Sequence, residues 1–193
     1  METAFALDLG MGRWRPVTTA PVGEITDRLL VAAARGGDRA AFGRLYSLYA
    51  PMVHGILLAR APRSEVDDLV QDVFLLALRR LPGLRDPAAF GPWLAMIARN
   101  RANDYHRRAR DSDELPADLA RHDPPAAEAL EVLEAVRSLP EAYREALILR
   151  LVEGMTGPEI AARTGLKPAS VRVNLHRGMK QLREKLERRG ADA

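Results

Sequence analysis

The stretch TGPEIAARTGLKPASVRVNLHRGMKQLREKL, from Thr156 to Leu186, carries the clearest fold signal in this sequence of 193 residues. It begins with a Thr that is followed three residues later by Glu159, which is the pattern of a capping box at a helix start. Gly165 stands where a helix end needs a residue free of Cβ strain, and Pro168 suits the first position of a following helix. The stretch therefore predicts two helices joined by a tight turn.

The second of these helices is predicted to have an apolar stripe and a basic outer face. The stripe consists of apolar residues that recur with the helical period: Val171, Leu175, Met179, Leu182 and Leu186. The basic residues fall largely outside the stripe: Arg172, His176, Arg177, Lys180 and Arg183. A plain helical hairpin with a solvated charged face would show much of this pattern, but such a face usually mixes both signs of charge. We therefore expect a helix-turn-helix that fits the major groove of DNA.

The composition argues against several classes of protein. Cysteine is absent, which excludes disulfides and thiolate metal sites. Hydrophobic residues make up 47% and aromatic residues 5% of the chain, and alternating β-branched patterns are lacking, so helices are favoured over strands. The histidines are scattered without metal-ligand spacing, and neither a nucleophile–base pair nor a phosphate-binding glycine loop is recognisable. We expect no cofactor, no metal and no catalytic residue.

The sequence also predicts a cytoplasmic protein without membrane insertion. It contains no run of about 18 apolar residues, which is the length needed to span a bilayer. Residues 1–23 lack the basic and apolar regions of a signal peptide.

Breaks in the helical pattern divide the chain into two small all-α domains. Residues 1–23 show no clear period and are expected to form a loose extension. The first domain is predicted over residues 24–110 and the second over residues 127–189. Between them, residues 111–126 are rich in proline and acidic side chains, which is typical of a flexible linker. The domain after this linker contains the helix-turn-helix.

The first domain is predicted to contain four helices. Two of them are separated near Gly36, with Leu29 and Tyr46 among the residues expected in their core. Ser64 is expected to cap the third helix, which is strongly periodic. A fourth helix is expected from about residue 88 to residue 110.

One face of the third helix is acidic and lies opposite its apolar stripe. Asp68, Gln71 and Asp72 are close together on this face. A solvated acidic surface is one interpretation, since acids near a helix N-terminus are favourable. A binding site for a partner is the other, and these residues alone leave both open.

The second half of the fourth helix interleaves arginines with amides and an aromatic ring. Arginines neutralise phosphates, while amides and rings can bond to or stack on an exposed base. Arginines that favour a helix C-terminus are the alternative explanation. The candidate nucleic-acid contacts are Arg99, Asn100, Arg101, Asn103, Asp104, Tyr105 and Arg107.

Four segments in register resemble the extracytoplasmic-function sigma factors of the sigma-70 family. They are DDLVQDVFLLALRRL (67–81), FGPWLAMIARNRANDYHRR (90–108), LPEAYREALILRLVEGMTGPEIA (139–161) and SVRVNLHRGMKQLREKL (170–186). The resemblance covers residues 25–188. It implies a non-enzymatic factor that binds core RNA polymerase, directs it to a subset of promoters and helps to open them. A stand-alone helix-turn-helix regulator of duplex DNA is the alternative function.

The resemblance assigns roles to the first domain. It implies that Asp68, Gln71 and Asp72 dock on the clamp helices of the polymerase. It also implies that the candidate nucleic-acid contacts on the fourth helix read the minus-ten element, with Asn100 holding a base flipped from the non-template strand. A pocket that compensates the cost of unstacking couples recognition to melting.

The resemblance also assigns roles to the second domain and to its partners. It implies that the minus-thirty-five element is contacted by Arg172, Val173, His176, Arg177 and Lys180. Because Val173 cannot donate a hydrogen bond, we expect it to contact a thymine methyl. Tyr143, Leu147 and Leu151 are expected to take the flap-tip helix of the polymerase. An anti-sigma factor that covers these surfaces is a further expected partner.

Overall fold

The computed structural model describes residues 24–111 and 124–191, and within these two ranges every regular element is helical. The first range contains α1 (Glu24–Arg35), α2 (Arg39–Leu58), α3 (Arg63–Arg80) and α4 (Phe90–Asp111). The second range contains α5 (Pro124–Arg137), α6 (Glu141–Leu151), α7 (Gly157–Thr164) and α8 (Pro168–Ala191). The predicted all-α class is confirmed. The predicted N-terminal extension and most of the predicted linker lie outside the described residues.

The starts of α2 and α3 differ in whether a side chain caps them. The Asp38 side chain caps α2, because its Oδ1 accepts the backbone N–H groups of Ala40 at 2.8 Å and Ala41 at 3.0 Å. The prediction that Ser64 caps α3 is wrong. Pro62 occupies the N-cap position and Ser64 lies in the first turn of the helix. The pyrrolidine ring fixes the backbone before the helix, so α3 begins without a side-chain cap.

Two residues expected in the core of the first domain are not buried. Leu29 is 67% exposed, because α1 turns Val31 and Ala34 inward instead. Tyr46 is 39% exposed, although its ring still packs on Phe74 with 4.5 Å between the centroids. The prediction for Leu29 is therefore wrong, and Tyr46 covers the edge of the core.

The caps predicted for the helix-turn-helix are confirmed. Thr156 N donates to Glu159 Oε2 at 2.8 Å, and Glu159 N donates to Thr156 Oγ1, which completes the capping box. Gly165 ends α7 in the left-handed region with φ of 74°, where a side chain would be strained. The next helix, α8, begins at Pro168.

The buried stripe of α8 differs from the predicted one. Val171 and Leu182 are buried as expected, but Met179 is 39% exposed. The reason is Gly178, which faces α6: a Cβ at this position would lie 3.1 Å from Leu147 and 3.2 Å from Tyr143. The close approach of α6 places Gly178 rather than Met179 in the buried stripe, while Val171 and Leu182 keep their predicted places. The prediction for Met179 is therefore wrong.

The two domains pack against each other, which no local signal indicates. One continuous cluster of buried residues includes both Val53 of α2 and Leu149 of α6. Glycines permit the close approach of the helices: a Cβ on Gly55 would lie 2.7 Å from Leu149 Cδ2, and a Cβ on Gly91 would lie 2.8 Å from the Arg163 carbonyl oxygen. The Arg163 side chain reaches back to donate to the Leu48 carbonyl at 2.7 Å. The helix-turn-helix therefore rests on the first domain.

Candidate nucleic-acid interface

The second half of α4 presents polar residues to solvent from a buried support. Leu94, Ala98 and Ala102 are fully buried on the inner face of the helix. On the outer side, Asn100 and Asn103 are exposed. The two amides are therefore held on a packed helix with their side chains accessible to a nucleic-acid strand.

Arg99 pairs with a carboxylate of the other domain. Its Nε donates to Glu145 Oε2 at 3.2 Å and its Nη2 donates to Glu145 Oε1 at 2.7 Å. Glu145 belongs to α6 and is only 4% exposed. A second guanidinium, that of Arg60, forms an ion pair with the same carboxylate at 2.7 Å. Two cations surround this buried carboxylate and compensate the cost of removing it from water.

The other arginines predicted to hold the minus-ten strand are also paired. Arg101 Nε donates to Asp72 Oδ2 at 3.1 Å, and its Nη2 contacts the same oxygen. Arg107 Nη2 donates to Asp104 Oδ1 at 3.0 Å. Asp72 was predicted to contact the polymerase, so its pair with Arg101 links two surfaces that the sequence analysis treated separately.

The acidic face of α3 continues into an apolar one. Asp68 and Gln71 are exposed, and one and two turns further along the helix Leu75 is 53% and Leu78 is 45% exposed. Neither leucine was among the predicted site residues. The sequence could have indicated their exposure, because both leucines lie outside the helical period of the buried stripe that contains Val66.

The outer face of α8 carries a row of exposed basic residues. Arg172, His176 and Arg177 are exposed. Among the side chains that the structure describes, no acid forms an ion pair with Arg172 or Arg177. Lys180 Nζ lies 4.0 Å from Glu184 Oε1, and both side chains are exposed, so this pair binds weakly. Val173 joins the face with 40% exposure.

A groove of about 600 Å³ runs between α6 and α8. Its lining combines apolar and basic residues: Arg150, Leu151, Leu175, His176, Met179, Lys180 and Arg183. Of the three residues predicted to take the flap tip, Leu151 lies in this groove and Tyr143 is half-buried. Leu147 is fully buried against Gly178, so it contributes to no exposed surface here.

A histidine–glutamate pair also joins the two domains. His54 Nδ1 of α2 lies 2.6 Å from Oε1 of Glu153, which follows α6. Burial disfavours the charged imidazole, but the hydrogen bond and charge of Glu153 outweigh it and raise the pKa of His54. Asp67 raises this pKa further and Arg63 opposes the rise. The partners are 99 residues apart in sequence, so no local pattern could have indicated the pair.

The described part of the chain lacks two further features. None of its helices combines the length and the apolar character needed to cross a membrane. Within the same residues, no group of three or more His, Cys, Asp or Glu side chains is placed to hold a metal ion.

Two family models match the two domains in order. The model of sigma-70 region 2 matches residues 45–112, and the model of sigma-70, region 4 matches residues 129–182. The first match contains α3 and α4, and the second contains the helix-turn-helix.

Named relatives match nearly their full length. RNA polymerase sigma factor CarQ of Myxococcus xanthus is 36% identical over 162 residues, which cover 79% of this chain and 92% of the relative. The ECF RNA polymerase sigma-E factor of Haemophilus influenzae is 30% identical over 183 residues, which cover 85% of this chain and 97% of the relative.

Solved structures have the same fold. CnrH, solved in complex with the cytosolic domain of CnrY, matches with a TM-score of 0.63 and 29% identity over 87% of this chain and 99% of that chain. The sigma factor RpoE of Bartonella quintana, solved with the anti-sigma factor NepR, matches with a TM-score of 0.53 and 23% identity over 76% of this chain and 96% of that chain. The second likeness concerns the fold alone.

Proposed function

The chain belongs to the extracytoplasmic-function group of the sigma-70 family, and on that premise we propose how its two domains share promoter recognition. It is an alternative sigma factor, which binds core RNA polymerase and directs transcription initiation. Sigma factors are initiation factors rather than enzymes, so we assign RNA synthesis to the polymerase and no catalytic step to this chain. A stand-alone regulator of duplex DNA is not favoured.

The first domain reads the minus-ten element through α4. Asn100 holds a base flipped out of the non-template strand, with Asn103, Asp104 and Tyr105 beside it. Flipping costs a few kcal/mol of stacking, and binding of the base compensates this cost and so favours melting. Arg99, Arg101 and Arg107 contact the strand backbone after leaving their carboxylate partners. The observation that carries the proposal is the exposure of Asn100 and Asn103 on a helix whose other face is buried.

The second domain reads the minus-thirty-five element through α8. Arg172, His176, Arg177 and Lys180 contact base edges and phosphates in the major groove, and Val173 contacts a thymine methyl. The support for this assignment is the exposure of these side chains on the outer face of a helix-turn-helix. No internal pair of Arg172 or Arg177, within the described side chains, has to break first.

Two surfaces dock on the polymerase. Asp68, Gln71 and Asp72 contact basic residues of the clamp helices, and the exposed Leu75 and Leu78 extend this contact with apolar area. The flap-tip helix docks on the second domain near the groove between α6 and α8. The factor acts in the cytoplasm, where the polymerase acts.

An anti-sigma factor is the partner that controls access to these surfaces. CnrH, a relative of similar fold, was solved in complex with the cytosolic domain of another protein. The groove between α6 and α8 is lined by both apolar and basic residues, which fits an amphipathic helix with acidic flanks. Such an occupant would cover His176 and Lys180 and so exclude the minus-thirty-five element.

In vitro transcription tests the proposed function. Core polymerase is mixed with genomic fragments and this protein, and the RNA starts are sequenced. Starts that depend on the protein are expected, and their upstream sequences give both promoter elements. Asp68→Ala combined with Gln71→Ala should remove these starts together with polymerase binding, because the clamp contact is lost. If no new start appears while the protein alone binds duplex DNA tightly, a stand-alone regulator is the better conclusion.

A further inference from the structure

The carboxylate of Glu145 lies between two arginines of the other domain. Its Oε1 is 2.7 Å from Arg99 Nη2, and its Oε2 is 2.7 Å from Arg60 Nη1. Arg60 follows α2, Arg99 belongs to α4, and the carboxylate comes from α6. The Arg60 side chain is 11% exposed and that of Glu145 is 5% exposed. The first domain thus contributes a partly buried pair of guanidinium groups that enclose an oxyanion.

We propose that Arg60 and Arg99 form a binding site for a phosphate of the promoter strand, and that Glu145 occupies this site while the domains are packed together. The proposal rests on the proposed function of the chain in promoter recognition. Carboxylate and phosphate oxygens are both bound by guanidinium forks, since the geometry and the charge suit either anion.

The bond geometry leaves room for a better ligand than the carboxylate. Arg60 Nη1 is buried and close to Glu145, yet it makes no aligned hydrogen bond within the described residues. Both carboxylate oxygens of Glu145 accept hydrogen bonds from Arg99. A phosphate has more acceptor oxygens than a carboxylate, so it can satisfy both guanidinium groups at once.

The site lies beside the amides proposed to read the minus-ten element. Arg99 precedes Asn100 in sequence, and Asn103 follows one turn later on the same side of α4 as Arg99. His106 Nε2, a further turn along, lies 2.6 Å from the Arg60 carbonyl oxygen and fixes the end of α2 against this helix. A phosphate next to a base at Asn100 is therefore adjacent to both arginines.

Occupation by Glu145 and occupation by DNA exclude each other. Separation of the domains removes Glu145 and also Glu141 of the same helix, whose Oε1 lies 2.7 Å from Arg60 Nη2. It therefore leaves two partly buried cations without an anion, which is unfavourable. A promoter phosphate again places a negative charge beside the two arginines, so DNA binding favours the separated domains. By the same coupling, packing of the domains lowers the affinity for the minus-ten strand.

The first test concerns the phosphate contact. Holoenzyme with Arg60→Ala is titrated with forked DNA that carries a single-stranded minus-ten element, over a range of salt concentrations. The affinity is expected to fall several-fold, and the slope of log affinity against log salt should decrease by about 0.7, the value for one phosphate on a single strand. Arg60→Lys keeps a positive charge and should restore the slope. Arg35→Ala removes an arginine that binds the Pro82 carbonyl and should leave it unchanged.

The second test concerns the occupant. The free full-length chain with Glu145→Gln should bind the same forked DNA several-fold more tightly than the wild type, because the buried carboxylate shared by Arg60 and Arg99 is gone and only the exposed Glu141 still pairs with Arg60. Glu134→Gln is the control, since Glu134 also pairs with an arginine, Arg137, at 3.6 Å but is exposed. Circular dichroism and the melting temperature confirm that each variant is folded.

The two proposals fail in different ways. If the wild-type holoenzyme starts transcripts but Arg60→Ala leaves the salt slope unchanged, the phosphate site is refuted and the sigma function stands. Equal DNA binding by Glu145→Gln and Glu134→Gln refutes the role of Glu145. If the wild-type chain starts no transcripts with core polymerase, the proposed function itself fails.

Discussion

The two helices assigned to promoter recognition differ in how their arginines are compensated. On α4, Arg99, Arg101 and Arg107 each pair with a carboxylate, and the partner of Arg99 is buried and belongs to the other domain. On α8, Arg172 and Arg177 are exposed and pair with no acid among the described side chains.

This difference indicates two modes of binding. The α8 face is ready to bind duplex DNA, so its affinity should depend on salt through simple counterion release. The α4 face must first lose its internal partners, so its affinity should depend also on how tightly the domains pack. Recognition of the minus-ten element is therefore the step that the domain interface controls.

The largest effect is expected from Asn100→Ala. Loss of a bidentate base contact costs about 1–3 kcal/mol, so transcription from a cognate promoter should fall about tenfold to a hundredfold. Binding to core polymerase should remain unchanged, as measured by gel filtration with core enzyme. An equal loss of both activities would remove Asn100 from base reading and weaken the contrast between the two helices.

Arg177→Ala should have the next largest effect. Arg177 forms no ion pair with a described acid, so its loss should weaken minus-thirty-five binding about tenfold and reduce the salt slope by about 1. Arg188→Ala is the control, because Arg188 is exposed three turns further along the same helix. An unchanged slope and unchanged promoter choice would show that Arg177 lies off the DNA.

Gly55→Ala tests the domain interface without a change of charge. The new Cβ would lie 2.7 Å from Leu149 Cδ2 and 2.9 Å from Glu153 Cγ, and overpacking of this kind costs about 1–3 kcal/mol. Within a helix, alanine is more stable than glycine by roughly 0.5–1 kcal/mol. The substitution should therefore not unfold α2 or the first domain. Small-angle scattering should show a larger radius of gyration, and minus-ten binding by the free chain should rise.

Gly43→Ala is the matched control for this experiment. Gly43 lies in the same helix and a Cβ there would meet no atom within 4 Å. The Gly43→Ala variant should therefore have a more stable α2 and an unchanged domain interface. If both variants are equally compact, packing at Gly55 does not hold the domains together.

The smallest effect is expected from pH. The pKa of His54 is raised in the packed domains. The His54–Glu153 pair therefore stabilises the domain interface fully below the usual histidine pKa, and this stabilisation is lost as the pH rises through the raised value. The domains should therefore separate more readily as the pH rises above the usual histidine pKa of about 6.5. Fluorescence transfer between dyes on the two domains measures this change, and His54→Gln should flatten it. A flat wild-type profile would contradict the assigned role of the pair.

Much of the fold was predictable because its signals are local. The capping box at Thr156, the glycine turn at Gly165 and the start of α8 at Pro168 each depend on residues within one helical turn. The errors came where packing between elements decides the outcome. Leu29 is exposed because α1 presents its other side to the core, and Met179 is exposed because Gly178 brings α6 close.

The sequence by itself determined the helices, the caps at Thr156 and Gly165, the family and the positions of the candidate DNA contacts, since period, charge and spacing are properties of the chain alone. Only the tertiary structure decided which of those cations form ion pairs with the described acids. Glu145 has the appearance of an ordinary surface acid within LPEAYREALILR, but packing of α6 on α2 and α4 buries it between Arg60 and Arg99. Arg99 lies 46 residues away in sequence, and a charge pair of that separation is set by the approach of two surfaces, which no local pattern encodes.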